Sequence, residues 1–493
     1  MSRPPSPSGS ARVWPEPRIG LAVLIAGLAV LRLVSAGAVP LTEDEAYYRL
    51  WSQHLALGYY DHPPMIAWWI RAGTVLAGDT PLGVRLLPCL ANLVATALVF
   101  DIGRLAGGGR TGLTAALFYN CTLTVGAAAA LAVPDVPAGL FWTLALWALV
   151  RSLHGTDARW WALAGAAAGL ACLSKYSALF LAPAVLLWLG ASAEGRKRLA
   201  QPWPWIAAAL AVALFAANVA WNAQHHWETF DKQFGRAAAS QLAPHYLIEF
   251  LAGQFLLFNP ALAILAGLGA ANAWRQRTER PIPWLMLASL IPFLAYLLAH
   301  SLHDRVQAHW PVPLYSAGAV LAALAARDAG GWRKALVQCA PLGLALSVLA
   351  LAHAALPATD GGGADPALQL RGWPGLARTV DAARLKAGAA WVGTLSYGTA
   401  AQLQAADLAG VLQVNERARY EGFGAPDRAD LSQPGLIVDL PRRIDPAKLA
   451  VCFAKVEPLP GVMRADGRAK DERYGVVRVS GSKVDLIKNG CPG

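Results

Sequence analysis

The 493-residue sequence is 56% hydrophobic and only 15% charged, with 19 Trp and a formal net charge of +11. So few charges in so long a chain exclude an ordinary soluble protein, and apolar runs recur that are long enough to cross the roughly 30 Å hydrocarbon core as helices. The positive excess does not mark a nucleic-acid partner, because the basic residues fall in short loops between apolar runs and no aromatic–basic interleaving is present.

Met1 to Arg18 is rich in Pro, Ser and Arg and reads as a disordered cytoplasmic leader, residues 1–18. Ile19–Pro40 is the first spanning candidate. Its end, "VSAGAVP", faintly resembles a signal-peptidase site, but the length of the run and Arg32 favour an uncleaved helix. Either reading puts Leu41 on the outer face. Further spans are expected near Leu86–Ile102, Gly112–Ala132, Ala138–Val150, Trp160–Leu173, Ala178–Gly190, Trp203–Trp221, Leu247–Ala273, Ile282–His300, Pro311–Ala326 and Ala335–Leu356, about eleven in all. The basic loops support this count. Arg104 with Arg110, Arg151 with Arg159, Arg196–Arg198, Arg275 to Arg280, and Arg327 to Lys334 all alternate to the N-terminal side. The N-terminus is then cytoplasmic, and an odd number of spans leaves the C-terminus outside.

After this transmembrane region, residues 19–356, the composition changes. "TDGGGADP" reads as a linker. The runs "GLIVDL", "LAVCFAKV" and "YGVVRVS" read as strands, and "GLARTVDAARLKAG" as a helix. Together they predict a small C-terminal α/β extracytoplasmic domain over residues 357–493. Cys89, Cys121, Cys172 and Cys339 fall in apolar helices and read as small core residues. Cys452 and Cys491 lie in the polar tail and can pair if that tail is outside the cytoplasm.

The first outer loop, "LTEDEAYYRLWSQHLALGYYDHPP", carries the densest charge. Thr42 and Glu45 match a capping box, and "AYYRLWSQHLALG" reads as an amphipathic helix suited to the membrane surface and ended by Gly58. Glu45 has a second structural role open to it, pairing with Arg49 at i,i+4, and Glu43 has one at the positive end of the helix dipole. Asp44 has neither, which makes it the candidate working carboxylate. In "YYDHPP" two prolines fix the backbone after Tyr60, Asp61 and His62. A histidine beside a carboxylate can hold a proton and bind an anion, and an aromatic interfacial turn is the simpler reading.

Later outer turns repeat the pattern. Asp135 stands between prolines in "AVPDVPAG", at a depth where a lone acid is costly. Lys175 in "LSKYSA", next to Tyr176, either snorkels to the interface or neutralises a phosphate. "WNAQHHWETFDKQFGR" and "HSLHDRVQAHWP" are dense in His, Trp and Arg, and the second holds Arg305, His309 and Trp310. No zinc-type spacing occurs, and no divalent metal or other cofactor is implied. A base and several cations on one face suit group transfer from a phosphate leaving group to a hydroxyl. Outside the cytoplasm, the phosphosugar available is one anchored to a lipid.

"DEAYY…GYYDHPPMIAWW…LGVRL", extended by "PDVPAGLFWTLALWAL", "GLACLSKYSALFLAP" and "HDRVQAHWPVPLYSAGAVLAA", resembles the GT-C membrane glycosyltransferases. Within them it is similar to the bacterial dolichyl-phosphate-mannose-protein mannosyltransferase type (glycosyltransferase family 39) and its aminoarabinose- and galacturonosyl-transferase relatives. The resemblance covers about Leu41 to Ala326. It implies a GT-C fold, a polyprenyl-phosphate sugar donor and inversion at the anomeric carbon. It implies an envelope acceptor: lipid A, lipopolysaccharide core, another glycan or, as alternative, a protein hydroxyl. The family's acidic pair falls on Asp44 and Glu45, and its later Asp on Asp135. His62 replaces the Lys of aminoarabinose-transferring relatives, and Lys175 and Arg305 take phosphate-binding positions. A flippase or transporter of a lipid-linked sugar is the competing class. It would want ionisable groups near mid-membrane, broken helices and an internal repeat; no repeat is visible, and the polar residues concentrate on one face. The expected location is the bacterial inner membrane.

Overall fold

The computed structural model describes residues 16–128, 130–154, 158–235, 241–327, 329–356, 365–421, 423, 426–465 and 472–491. Residues 1–15 of the expected leader and most of the expected linker lie outside the described residues.

Helix α1 (Pro17–Ala38) opens on a proline, whose missing N–H is no loss in a first turn. A short loop leads to α2 (Glu43–Gln53), where the capping box forms: Thr42 Oγ1 accepts from Glu45 N, and Thr42 N donates to Glu45 Oε2. The helix ends at Gln53 rather than running to Gly58. Then follow α3 (Met65–Ala77), α4 (Pro81–Gly107), α5 (Gly109–Asn120), α6 (Leu123–Ala128), α7 (Asp135–Ser152) and α8 (Ala158–Cys172). A 3₁₀ turn, Tyr176–Phe180, runs into α9 (Leu181–Gly190), followed by α10 (Ala193–Leu199), α11 (Pro202–Gln224) and α12 (Glu228–Gly235). The helical part closes with α13 (His245–Leu257), α14 (Pro260–Arg275), α15 (Pro281–His300), α16 (Tyr315–Ala326), α17 (Trp332–Cys339) and α18 (Leu342–Ala355).

Five described helices are long and apolar enough to cross a membrane: α1, α4, α11, α15 and the stretch Trp332–Ala355. A sixth span results if α13 and α14, bent by 100°, count as one. Large apolar side chains such as Val23, Val30, Val212 and Leu349 stand exposed on their outer faces, where lipid would cover them. Inside, small residues bring backbones together. A Cβ at Gly165 of α8 would lie 2.2 Å from the carbonyl oxygen of Ala207 in α11.

Three of the expected spans are broken. Gly112–Ala132 divides at Cys121, Leu247–Ala273 at Asn259, and Ala335–Leu356 at Ala340. One buried side chain joins all three breaks. Asn259 Nδ2 donates to Cys121 O at 3.2 Å and to Ala340 O at 2.9 Å, and Oδ1 accepts from Ala261 N at 3.1 Å. The carbonyls freed at the breaks are thus satisfied without water.

At the far ends of α4 and α7, Asp101 pairs with Arg104 at 2.6 Å and Arg151 at 3.2 Å, and Arg198 donates to Ser152 O. Three of the basic loops therefore share one face, opposite the ends that carry Glu45, Arg85 and Asp135.

The C-terminal part begins with α19 (Trp373–Lys386) and builds one five-stranded sheet, order β2-β1-β3-β5-β4. Strand β1 (Trp391–Thr394) leads through α20 (Tyr397–Ala405) to β2 (Val411–Gln413), and α21 (Arg428–Leu431) precedes β3 (Gly435–Asp439). These three strands are parallel. After α22 (Pro446–Cys452), β4 (Phe453–Arg464) and β5 (Glu472–Ser482) form an antiparallel pair, and β5 also pairs antiparallel with β3. Cys452 and Cys491 form a disulfide. Cys89, Cys121 and Cys172 are buried as expected, but Cys339 is exposed near the break between α17 and α18.

The sheet part packs onto the first outer loop. Tyr47, Trp51, Tyr59 and Ile70 share one buried cluster with Leu376, Ala400, Tyr420 and Val476. The apolar face of α2 is therefore covered by protein, not laid on the membrane surface.

Candidate active site

The site is built around α2, and Glu45 is its fixed point. Fully buried, Glu45 does not meet Arg49, which instead forms a bidentate pair with Asp79 at 2.6–2.7 Å. Glu45 pairs with Arg85 of α4 through two bonds of 2.5 and 2.6 Å. Arg85 also donates to the carbonyls of Ala36, Val39 and Pro40 at the end of α1. Glu45 Oε1 accepts in addition from Ala132 N at 2.9 Å, three residues before Asp135. One buried ion pair thus locks the end of α1, the start of α2 and the approach to α7. This is a structural role for Glu45, with every carboxylate contact taken.

Asp44, one residue earlier, is left partly open. Its Oδ1 accepts from the Tyr397 hydroxyl at 2.9 Å, and among the described residues Oδ2 accepts no hydrogen bond. Burial raises its pKa, against the Tyr397 hydrogen bond and His309, so this carboxyl is a stronger base than an exposed aspartate.

Asp135 is the first residue of α7, where the helix N-terminus favours an anion. Lys175 Nζ lies 2.6 Å from its Oδ1, and His309 Nε2 lies 3.7 Å from its Oδ2. Lys175 also stands 6.0 Å from the Trp310 ring centroid. Its three N–H donors leave it free to serve a second anion beside Asp135. The double-proline turn docks here, since Met65 N donates to Leu173 O at 3.1 Å, and His62 faces Tyr48 with ring centroids 6.1 Å apart. Burial and the nearby Lys175 push the His62 pKa down to about 3, against the pull of Asp61 and Asp135. His62 is therefore neutral near pH 7 and offers an N–H, not the positive charge expected from sequence. Burial lowers His309 as well, partly offset by Asp135.

Asp61 faces another way. It pairs with Lys232 of α12 and with Arg419 at 2.6 Å, and Tyr47 donates to it at 3.1 Å. Burial raises its pKa, but Arg419 and Lys232 outweigh that and hold it below the usual carboxylate range. Tyr60 lies beneath the same two cations, with Lys232 4.3 Å and Arg419 5.5 Å from its ring centroid.

Two expected site residues stand apart. Tyr176 donates to Asn218 Oδ1 at 3.0 Å, and Asn218 holds Leu57 O, so Tyr176 supports the first loop from behind. Arg305 is 62% exposed and pairs with Glu249 at 2.5 Å, and no described contact ties it to Lys175 or Asp135.

Four residues escaped the sequence reading as site components. Arg85 and Lys232 lie in stretches quoted above, and an arginine within a spanning helix is itself a signal. Tyr397 and Arg419 come from the C-terminal part and carry no signal in sequence, because their relevance depends on docking.

On the membrane side of the Lys175 turn lies an apolar cavity of about 310 Å³, lined by Leu149, Trp161, Cys172, Ala178, Val212 and Phe215 among others. Cys172 and Ala178, which line it, stand three residues to either side of Lys175, while Lys175 itself is not part of the lining. Among the described residues, no three His, Cys, Asp or Glu side chains gather as a metal site.

Residues 61–221 match the dolichyl-phosphate-mannose-protein mannosyltransferase family. The lipid A galacturonosyltransferase RgtD of Rhizobium johnstonii is 31% identical over 318 residues, 62% of this chain. The match spans 65% of RgtD, a little under two thirds of that relative's length. ArnT from Cupriavidus metallidurans in its apo state superposes with a TM-score of 0.66 at 16% identity, covering 94% of this chain and 98% of ArnT. The same protein bound to undecaprenyl phosphate gives 0.60 at 15% identity, covering 93% and 98%. At these identities the structural likeness establishes a shared fold.

Proposed function

We propose, for a chain that belongs to the GT-C membrane glycosyltransferases, transfer of a monosaccharide from a polyprenyl-phosphate donor to an envelope glycolipid of the lipid A type. The reaction takes place at the outer face of the bacterial inner membrane. One juxtaposition carries the reading: an apolar cavity suited to a lipid tail is lined by Cys172 and Ala178 on either side of the Lys175 turn, and Lys175, Asp135 and His309 stand on the side of α2 that presents Asp44. RgtD and the undecaprenyl-phosphate complex of ArnT support the same acceptor and donor classes.

In this reading the polyprenyl phosphate lies with its head at Lys175, which shares its donors between Asp135 and the phosphate, while His62 and His309 add neutral N–H donors. The acceptor hydroxyl attacks the anomeric carbon opposite the phosphate. As that carbon–oxygen bond forms, Asp44 takes the hydroxyl proton. The bond from carbon to phosphate oxygen breaks, and its electron pair leaves with the polyprenyl phosphate, whose charge Lys175 stabilises. Attack from the opposite side inverts the anomeric carbon. Glu45 acts only through the Arg85 lock, and Arg305 has no part in the phosphate site.

The topology belongs to the same proposal. The N-terminus is cytoplasmic, residues 19–356 form the catalytic region with about eleven crossings, and residues 357–493 lie outside the cytoplasm. The remaining crossings would be α5 with α6, α7, α8, the Tyr176–Phe180 turn with α9, and the Val312–Leu314 turn with α16.

Mass spectrometry of lipid A, core glycan and envelope proteins from a deletion strain tests the reading. A sugar mass missing from lipid A is expected, and complementation with Asp44→Asn fails to restore it, with a loss of at least about 100-fold in transfer. A mass missing from envelope proteins instead assigns the acceptor to protein hydroxyls. Unchanged glycans throughout, or full complementation by Asp44→Asn in normally inserted protein, overturn it.

A further inference from the structure

We infer that Tyr397, supplied by the C-terminal sheet part, is a positioning residue for Asp44: it holds Oδ1 and leaves Oδ2 as the oxygen that faces the acceptor. The inference rests on the proposed role of Asp44 as base.

Asp44 needs such a holder. It sits in the first turn of α2, but the capping box there uses Thr42 and Glu45, so nothing on its own helix fixes its carboxylate. Charged and titratable groups face it from every side: Glu43 and Tyr48 on its own helix, Asp61 from the loop after α2, His309 from the loop before α16, and Tyr397 and Arg419 from the C-terminal part. Among the described residues only Tyr397 donates a hydrogen bond to it, at 2.9 Å.

Tyr397 is itself held from three directions. Its carbonyl accepts from the Tyr420 hydroxyl at 2.7 Å. Its ring packs against Tyr47, with centroids 5.1 Å apart, and under the Arg419 guanidinium at 4.4 Å. Arg419 is anchored in turn by Asp61 at 2.6 Å and Glu416 at 2.9 Å. The docking has its own contacts away from Asp44. Gln402 Nε2 donates to Leu41 O at 2.9 Å, and the start of α20 approaches α2 so closely that a Cβ at Gly398 would lie 2.3 Å from Glu43 Oε2. Gly398 therefore permits the approach, and Tyr397 uses it.

A hydroxyl donated to a carboxylate stabilises its ionised form, so Tyr397 lowers the Asp44 pKa against the rise from burial. Removing that hydroxyl moves the pKa up, and the base is then available only at higher pH. Tyr397→Phe keeps the ring between Tyr47 and Arg419 and deletes only the donor.

The test is infrared difference spectroscopy over a pH titration of the full-length protein in lipid nanodiscs. The carboxylic C=O band of Asp44 is assigned by its loss in Asp44→Asn. In Tyr397→Phe its midpoint moves up by about one unit. In Gln402→Ala, which loosens the same docking surface elsewhere, it stays. With undecaprenyl-phosphate galacturonic acid as donor and lipid A as acceptor, the acidic limb of kcat follows the same shift while donor KM is unchanged. An unmoved midpoint in Tyr397→Phe, or an equal shift in Gln402→Ala, overturns the inference and leaves Asp44 as base untouched. Full turnover by Asp44→Asn overturns both.

Discussion

At His62 two prolines hold an imidazole against the Lys175 turn, and burial with Lys175 pushes its pKa down to about 3. The unfolded chain restores an ordinary value near 6.5. Between those values the unfolded state binds a proton that the folded state refuses, so stability is complete above about pH 6.5 and is lost as pH falls. His62→Gln carries no such term. The stability gap between wild type and His62→Gln should therefore shrink by up to about 1.4 kcal/mol for each pH unit below 6.5. Thermal unfolding in detergent over a pH series checks this, and a gap independent of pH refutes it. The same residue marks how far single positions can be read from sequence. Asp44, Asp135, Lys175 and His309 stood out because an ionisable group at a membrane edge needs a reason. The charge state of His62 did not, because it depends on burial and on a lysine more than a hundred positions away. The partner of Glu45 failed similarly: helical spacing offered Arg49, but Asp79 took Arg49 and Arg85 took Glu45.

Apolar runs located most of the helices and missed their interruptions. Hydropathy averages over a window, so it cannot see one residue where the chain turns. The signals were present as Pro260 and Pro341, each just inside a break and each unable to continue the helix before it. Nothing in sequence shows that the breaks meet. Asn259 joins them with its side chain while its own backbone sits at φ 79°, a region that disfavours a Cβ. Asn259→Ala loses both the joining bonds and the tolerance for that φ, with an expected cost of about 2–4 kcal/mol. Asn259→Gly keeps the backbone tolerance and should be less damaging by about 1 kcal/mol. Unfolding of the purified variants in detergent ranks them. If alanine and wild type melt together, the breaks are held by packing alone and Asn259 is not their pin.

At the scale of the whole molecule, the C-terminal sheet part turns from an appendage into a contributor to the site, through Tyr397 on Asp44 and Arg419 on Asp61. Local patterns made α19, β3, β5 and the start of β4 legible, but not β1, β2 or α20, and Leu449–Cys452 of the run read as a strand belong to α22. The docking was not legible either, because it depends on complementary surfaces such as Tyr47, Tyr397 and Tyr420 that no local pattern announces. A disulfide closes this arrangement. The Cys452–Cys491 disulfide holds the last described residue beside β2, where Cys491 N donates to Val414 O at 2.7 Å. From there Arg417 donates to Ile487 O at 3.2 Å, two residues before Arg419 reaches Asp61. The bond closes a loop across a separation of 39 residues, worth about 4 kcal/mol by loop-closure entropy. Cys452→Ser with Cys491→Ser should therefore loosen the Arg417–Arg419 turn and lower transfer while the helical part still inserts. The unmodified protein also reports its own topology, because such a bond persists in an oxidising compartment and not in the cytoplasm. Alkylation of membranes before and after reduction should uncover two new thiols, at Cys452 and Cys491, and an impermeant reagent should reach them from outside the inner membrane. Thiols already free before reduction at these two positions would place the sheet part in the cytoplasm, away from any lipid A, and the proposed reaction would lose its compartment.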